Sequence, residues 1–213
     1  MTAPTEGVLI IACGALAREI AALRRLNDWR RLDVRCLPAE LHNHPEQITE
    51  RVREAIRAGR ERYAQIFVAY GDCGTGGRLD ALLDAEGVER LPGAHCYEFY
   101  ATATAFEQLC ETEPGTFYLT DFLVRHFERL VVRTLGLDLH PELAGDYFRH
   151  YRRVVYLVQR YCAPAVDQAA AIARRLGLEF EFRITGYGEL ERSLRQVAAR
   201  TVDVRLGQAP WRR

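Results

Sequence analysis

The 213-residue chain contains no lysine, a single serine at Ser193 and no methionine beyond Met1. Without lysine there is no Schiff-base nucleophile and no P-loop cation for a phosphate; one serine in a charged, helix-like stretch is a poor start for a serine-nucleophile triad. An excess of charge of one sign is missing too. Twenty-nine basic side chains face 29 acidic ones, so no net field recruits nucleic acid or an anionic membrane, and neither is expected as a partner. Long apolar runs are also absent. The longest, Val8 to Ala12 with its flanks, is far short of the roughly 18 residues needed to span a bilayer. Met1 to Glu6 lacks a basic region followed by an apolar stretch, so no secretory signal is expected and the chain reads as cytoplasmic. Six cysteines in such a chain are expected to stay reduced, with packing, metal binding or thiol chemistry as their work.

What is present is an alternation. Gly7 to Ala12 and Gln65 to Tyr70 are continuous apolar runs rich in β-branched and aromatic residues, as expected of strands covered on both faces. Leu32 to Leu37 alternates at period two, and Pro45 to Ala58 opens with proline and acids and then sets Ile48, Val52 and Ile56 along one helical face. Val88 to Leu91, Thr116 to Leu119, Arg153 to Val158, Leu178 to Ile184 and Thr201 to Leu206 read as further strands. Helices are expected at Ala15 to Leu23, Arg78 to Asp84, Tyr97 to about Leu109, from Asp121, at Pro164 to Leu176 and at Glu189 to Ala199. Strands alternating with helices of this length predict an α/β fold: a mainly parallel, Rossmann-like sheet with helices on both faces. One domain over 1–213 is expected, with two βα halves, 1–136 and 150–213, meeting near 137–150.

Cys13, Cys73 and Cys96 each stand directly after an expected strand and at the start of a helix. Loops at the carboxyl ends of parallel strands converge, and helix N-termini there favour thiolate, which is both metal ligand and nucleophile. Taken singly, each cysteine reads as a small buried hydrophobe. Taken as three equivalent βα positions flanked by glycine, they point to a site. Three thiolates can hold zinc with one open position, completed by His42, His44 or His95, with His42 the first choice, or an iron–sulfur cluster with one iron left for another ligand. Cys36, Cys110 and Cys162 read as core.

Other residues join at this rim. Gly74-Thr75-Gly76-Gly77 resembles a small anion-binding turn whose amides can meet a phosphate or carboxylate of a cofactor, although it is neither a dinucleotide fingerprint nor a P-loop. Asp72 and His95 are candidate general acids or bases beside the cysteines, although an aspartate at a strand end more often caps the next turn.

Ile11-Ala12-Cys13-Gly14, Tyr70 to Gly77, Pro92-Gly93-Ala94-His95-Cys96 and Pro114 to Thr120 together resemble the family called domain of unknown function 1638, over roughly Leu9 to Ile184. The resemblance implies that Cys13, Cys73 and Cys96 match the family's cysteine positions. It also implies a setting, since members occur beside corrinoid-dependent methyl-transfer systems. Where family members continue the tyrosine-leucine-threonine segment with proline, glycine and an aromatic, Asp121-Phe122 stands here.

The function expected on these grounds is a zinc- or iron–sulfur-binding protein, an enzyme or accessory factor in corrinoid-linked methyl transfer or one-carbon metabolism. Its partners would be a small-molecule substrate or a corrinoid methyltransferase protein. A metal or cluster carrier without catalysis, and a metal-free thiol enzyme with Cys73 as nucleophile, are the alternatives.

Overall fold

A computed structural model describes residues 5–206. The chain forms two compact units: residues up to Cys96 together with those from Glu189 onward, and Tyr97–Gly188 between them. The seam expected near 137–150 therefore lies inside the second unit.

The first unit holds strand β1 (Thr5–Cys13), helix α1 (Ala17–Leu26), β2 (Leu32–Leu37), α2 (Pro45–Arg60), β3 (Tyr63–Ala69), α3 (Arg78–Glu86) and β4 (Glu89–Arg90). The strands are all parallel, in the order β2-β1-β3-β4. Ile10, Ile11 and Ala12 of the central strand are completely buried, which is why this stretch is apolar at every position. On α2, Ile48, Val52 and Ile56 are buried in one stripe, matching their i, i+4, i+8 spacing. Gly59 ends that stripe because a side chain there would meet Leu9 at 2.6 Å.

The second unit contains α4 (Ala103–Thr112), β5 (Thr116–Thr120), α5 (Asp121–Phe127), α6 (Ala144–Phe148), β6 (Arg153–Val158), α7 (Ala163–Leu176) and β7 (Glu179–Ile184). Its sheet, β5-β6-β7, is again parallel. Val154, Tyr156 and Val158 pack with Val124 and Phe127 of α5 and with Ala169, Ile172 and Ala173 of α7. Val155 and Leu157 join Leu109 of α4 in a separate cluster. Neighbours along β6 thus point to opposite faces, both covered by helix, as the α/β reading requires.

The expected strand at Thr201 to Leu206 does not form. Helix α8 runs through it, Gly188–Leu206. Val202, Val204 and Leu206 alternate as a strand would, but no glycine or proline intervenes after Ala199, and extending an existing helix adds one hydrogen bond per residue fixed. The helix expected from Tyr97 begins instead as a 3-10 turn, Cys96–Tyr100, and α4 starts only after Thr102, whose hydroxyl accepts from the Ala105 amide.

Candidate functional site

The carboxyl ends of all four strands of the first unit supply side chains to one spot. Strand β1 ends in Cys13, buried, and Gly14 follows because a Cβ there would stand 2.9 Å from the Leu37 carbonyl at the end of β2. After β2 a 3-10 turn, Ala39–Asn43, carries His42. After β3 the chain passes through buried Tyr70 to Gly71, whose Cα faces the His95 backbone so closely that a Cβ would meet it at 2.9–3.0 Å. Two hydrogen bonds join these loops, from the Asp72 amide to the Gly93 carbonyl (3.2 Å) and from the Cys73 amide to the Ala94 carbonyl (2.7 Å).

The loop after β4 is held from beneath as well. Arg90 forms a two-pronged ion pair with Asp80 of α3 (2.5 and 2.9 Å) and donates to the carbonyls of Leu91 (2.6 Å) and Gly93 (3.1 Å). Its planar fork thereby ties α3 to the segment that delivers His95 and Cys96. Nothing in local spacing announces this clamp, which pairs residues ten apart through a loop.

At the centre Cys73 Sγ lies 3.5 Å from Cys96 Sγ. Cys73 has a positive φ of 49°, a conformation unusual for a residue with a side chain and a mark of a constrained position. The hydrogen bond from Cys96 is the largest influence on Cys73. Together with those from His42 and His95 it outweighs burial and lowers the Cys73 thiol to about 3. Cys13 is lowered as well, first by Cys96, then by the Ala15 amide and the Tyr70 hydroxyl, against burial. Cys96 moves the opposite way, pushed well up by its hydrogen bonds to Cys13 and Cys73 and by burial. The pattern is one thiol, Cys96, donating its proton between two sulfurs that favour the thiolate. His42 is raised by its bond to Cys73, against burial, so thiolate and imidazolium stabilise each other. The His42 and His95 rings stand 6.5 Å apart, edge to face.

The structure brings Cys13, Cys73, Cys96, His42 and His95 together. It does not add His44, which is exposed and pairs with Glu46 (3.6 Å), nor Cys36 and Cys162, which are exposed, nor Cys110, whose sulfur is 3.6 Å from the Tyr118 hydroxyl in the second unit. Among the described residues no group of three or more His, Cys, Asp and Glu side chains is arranged as a ready metal site.

The glycine-rich turn has a different occupant from the one expected. The amides of Gly76 and Gly77 donate to the Asp72 carboxylate (3.1 and 2.9 Å), and the Thr75 hydroxyl donates to it as well. Burial pushes Asp72 up, but these donors and the Gly74 amide outweigh it and hold the carboxyl below its ordinary value. The anion in the cradle formed by Gly74, Thr75, Gly76 and Gly77 is the chain's own. Asp72 thus shapes the loop that carries Cys73, which is the capping role also read for it. Positive φ at Gly74, Gly76 and Gly77 explains why glycine recurs there.

No curated protein and no solved structure matches the chain. A family model does match, over residues 36–194, a stretch that includes His42, Cys73, His95 and Cys96 and begins after Cys13. Most of the chain being matched, the protein belongs to the family described as "Protein of unknown function (DUF1638)".

Proposed function

We propose that the strand-end cluster of the first unit is a thiolate centre for a thiophilic metal, zinc or the iron of an iron–sulfur cluster, held by Cys13, Cys73, Cys96 and an imidazole. The observation that carries this reading is that four adjacent strands, in sheet order, each send one soft donor to the same place: His42, Cys13, Cys73 and Cys96. Two of the three sulfurs already favour the anionic form a metal requires. Sulfurs sharing a tetrahedral zinc are about 3.8 Å apart, so the Cys73–Cys96 pair at 3.5 Å needs to open only slightly. His42, set on the 3-10 turn and more exposed than Cys13, Cys73 and Cys96, is suited to be the exchangeable ligand, yielding its place to a thiol or other small substrate. The corrinoid-linked methyl transfer implied by the family resemblance would use such a centre to activate a thiol; that setting rests on the resemblance, with a corrinoid methyltransferase protein as partner.

A second reading is favoured by one observation, the positive φ and thiolate character of Cys73. These also suit a metal-free nucleophile presented on a tight turn, with His95 beside it as base. Anaerobic purification followed by elemental analysis and an absorption spectrum separates the two. The metal reading expects about one zinc per chain, or iron with sulfide, lost in Cys73→Ala, and cysteines that resist alkylation until a chelator is added. Metal-free protein in which iodoacetamide labels Cys73 selectively at neutral pH would remove it in favour of the nucleophile.

A further inference from the structure

Strand β7 forms one edge of the second unit's sheet. Of the six large hydrophobic side chains exposed among the described residues, Phe182 and Ile184 lie on it and Tyr161 stands beside it, its ring 6.5 Å from that of Phe182. Phe180, Phe182 and Ile184 share one face with Val154, Tyr156 and Val158, their partners in register. Those β6 partners are fully buried, whereas Phe182 is 42% and Ile184 67% exposed. The apolar face therefore runs past its helical cover and off the edge of the sheet. Among the described residues no strand lies beyond β7, and an edge of this kind is a template for another strand.

The backbone defines what the edge offers. Glu179 donates its amide to the Arg152 carbonyl (3.1 Å) and Thr185 to the Val158 carbonyl (3.0 Å). Odd-numbered residues of β7 thus turn their amides toward β6, and the period of two leaves the amides and carbonyls of Phe180, Phe182 and Ile184 directed away from the sheet. Glu181 and Arg183 lie on the opposite face, forming an ion pair with one another (2.5 Å).

We propose that β7 pairs with β7 of a second copy of this chain, antiparallel about a two-fold axis at Phe182. In that register Phe182 meets its own counterpart, and Phe180 meets Ile184 of the other copy. Each of these pairs joins residues whose backbone groups point outward, the requirement for a hydrogen-bonded antiparallel pair. The intervening residues come opposite one another as Glu181 and Arg183, twice by symmetry, so that each Glu181 faces an arginine of the other copy. Shifting the axis to Glu181 or Arg183 still lets the outward backbone groups meet, but it sets Glu181 against Glu181 or Arg183 against Arg183 at the centre, so like charges stand face to face. The sequence Glu-Phe-Glu-Phe-Arg-Ile is in this sense complementary to itself in one register.

Light scattering on the eluting full-length protein tests the proposal. The expected mass is twice the 24.3 kDa chain. Arg183→Glu, which sets a carboxylate against Glu181 of the other copy, is expected to raise the dissociation constant at least about tenfold, and Ile184→Asp to do the same. Mixing Arg183→Glu with Glu181→Arg is expected to restore a dimer containing one of each, because the carboxylates at 181 and 183 of one copy again face arginines of the other. Glu181 also pairs with Arg153 within the chain (3.2 Å); if Glu181→Arg loses its native circular dichroism, the two exposed variants decide the matter. A wild-type monomer at high micromolar concentration, or a dimer indifferent to both Arg183→Glu and Ile184→Asp, would overturn the proposal.

Discussion

The two units use the same topological place, the carboxyl rim of a parallel sheet, in opposite ways. In the first, β1 ends in sulfur and the loops after β2, β3 and β4 bring further soft donors to it: two thiolate-prone cysteines, one thiol and two imidazoles in all. In the second, β5 and β6 end in a closed circuit. Asp121, buried, accepts from the Tyr156 hydroxyl (2.7 Å) and the amides of Gln159 (3.2 Å) and Arg160 (3.1 Å), while its own amide donates to the Gln159 side chain (2.7 Å). Burial and this carboxylate raise the Tyr156 phenol, keeping it protonated as a donor. A rim whose polar groups satisfy one another is architecture; a rim that gathers soft donors with displaced proton affinities is the one on which the proposed function rests.

The largest effect that tests this contrast is expected from Asp121→Ala. It strands one hydroxyl and two amides in a buried position and should lower stability by about 3 kcal/mol or more in urea denaturation. Cys73→Ser in metal-free protein should cost only about 1 kcal/mol. Equal losses would erase the distinction between the two rims. Next is Gly71→Ala, whose new methyl meets the His95 backbone at 2.9–3.0 Å. It should cost about 1–3 kcal/mol and, by pushing Cys96 away from Cys73, reduce the thiolate absorbance near 240 nm at neutral pH. An unchanged thiolate signal would show that the close approach of the two loops does not hold the sulfurs together.

The smallest effect concerns the clamp under Cys96. The hydrogen bond from Arg90 is the chief reason Asp80 lies below its ordinary carboxylate value of 3.8. A carboxylate depressed on folding stabilises the fold above its unfolded value and loses that contribution as pH falls through the folded one. Asp80→Asn should therefore cost less than about 1 kcal/mol at neutral pH, since the Asp80 side chain is 48% exposed. The gap from wild type should close in acid below 3.8. A gap independent of pH would assign the loss to packing.

Much of the fold was legible in local pattern. Leu32–Leu37 and Arg153–Val158 form as read, one from its alternation and the other from an unbroken β-branched run. The helix over Val202 and Val204 was not, because a period of two in a six-residue stretch cannot outweigh the helix already under way before it. The unit boundary at Cys96 and Gly188 was equally hidden: the chain leaves the first unit and returns to it as α8, a long-range event with no composition shift to mark it. In the site, the three cysteines and His42 were visible as residues that follow strands. The tenancy of the glycine turn by Asp72 was less so, since a carboxylate next to free amides reads the same whether it fills the turn or leaves it to a ligand.

By itself the sequence determined the alternation of strand and helix, the burial of the strands on both faces and the placing of a cysteine after each of three of them. These follow from periodicity and residue type, which act over a few neighbours. Only the tertiary structure decided that β1, β3 and β4 lie side by side with β2 at the margin, that His42 and not His44 reaches the sulfurs, and that Cys96 is pushed up while Cys13 and Cys73 are lowered. Those outcomes depend on distances between groups tens of residues apart, and electrostatic and hydrogen-bond energies respond to distance in space, not along the chain.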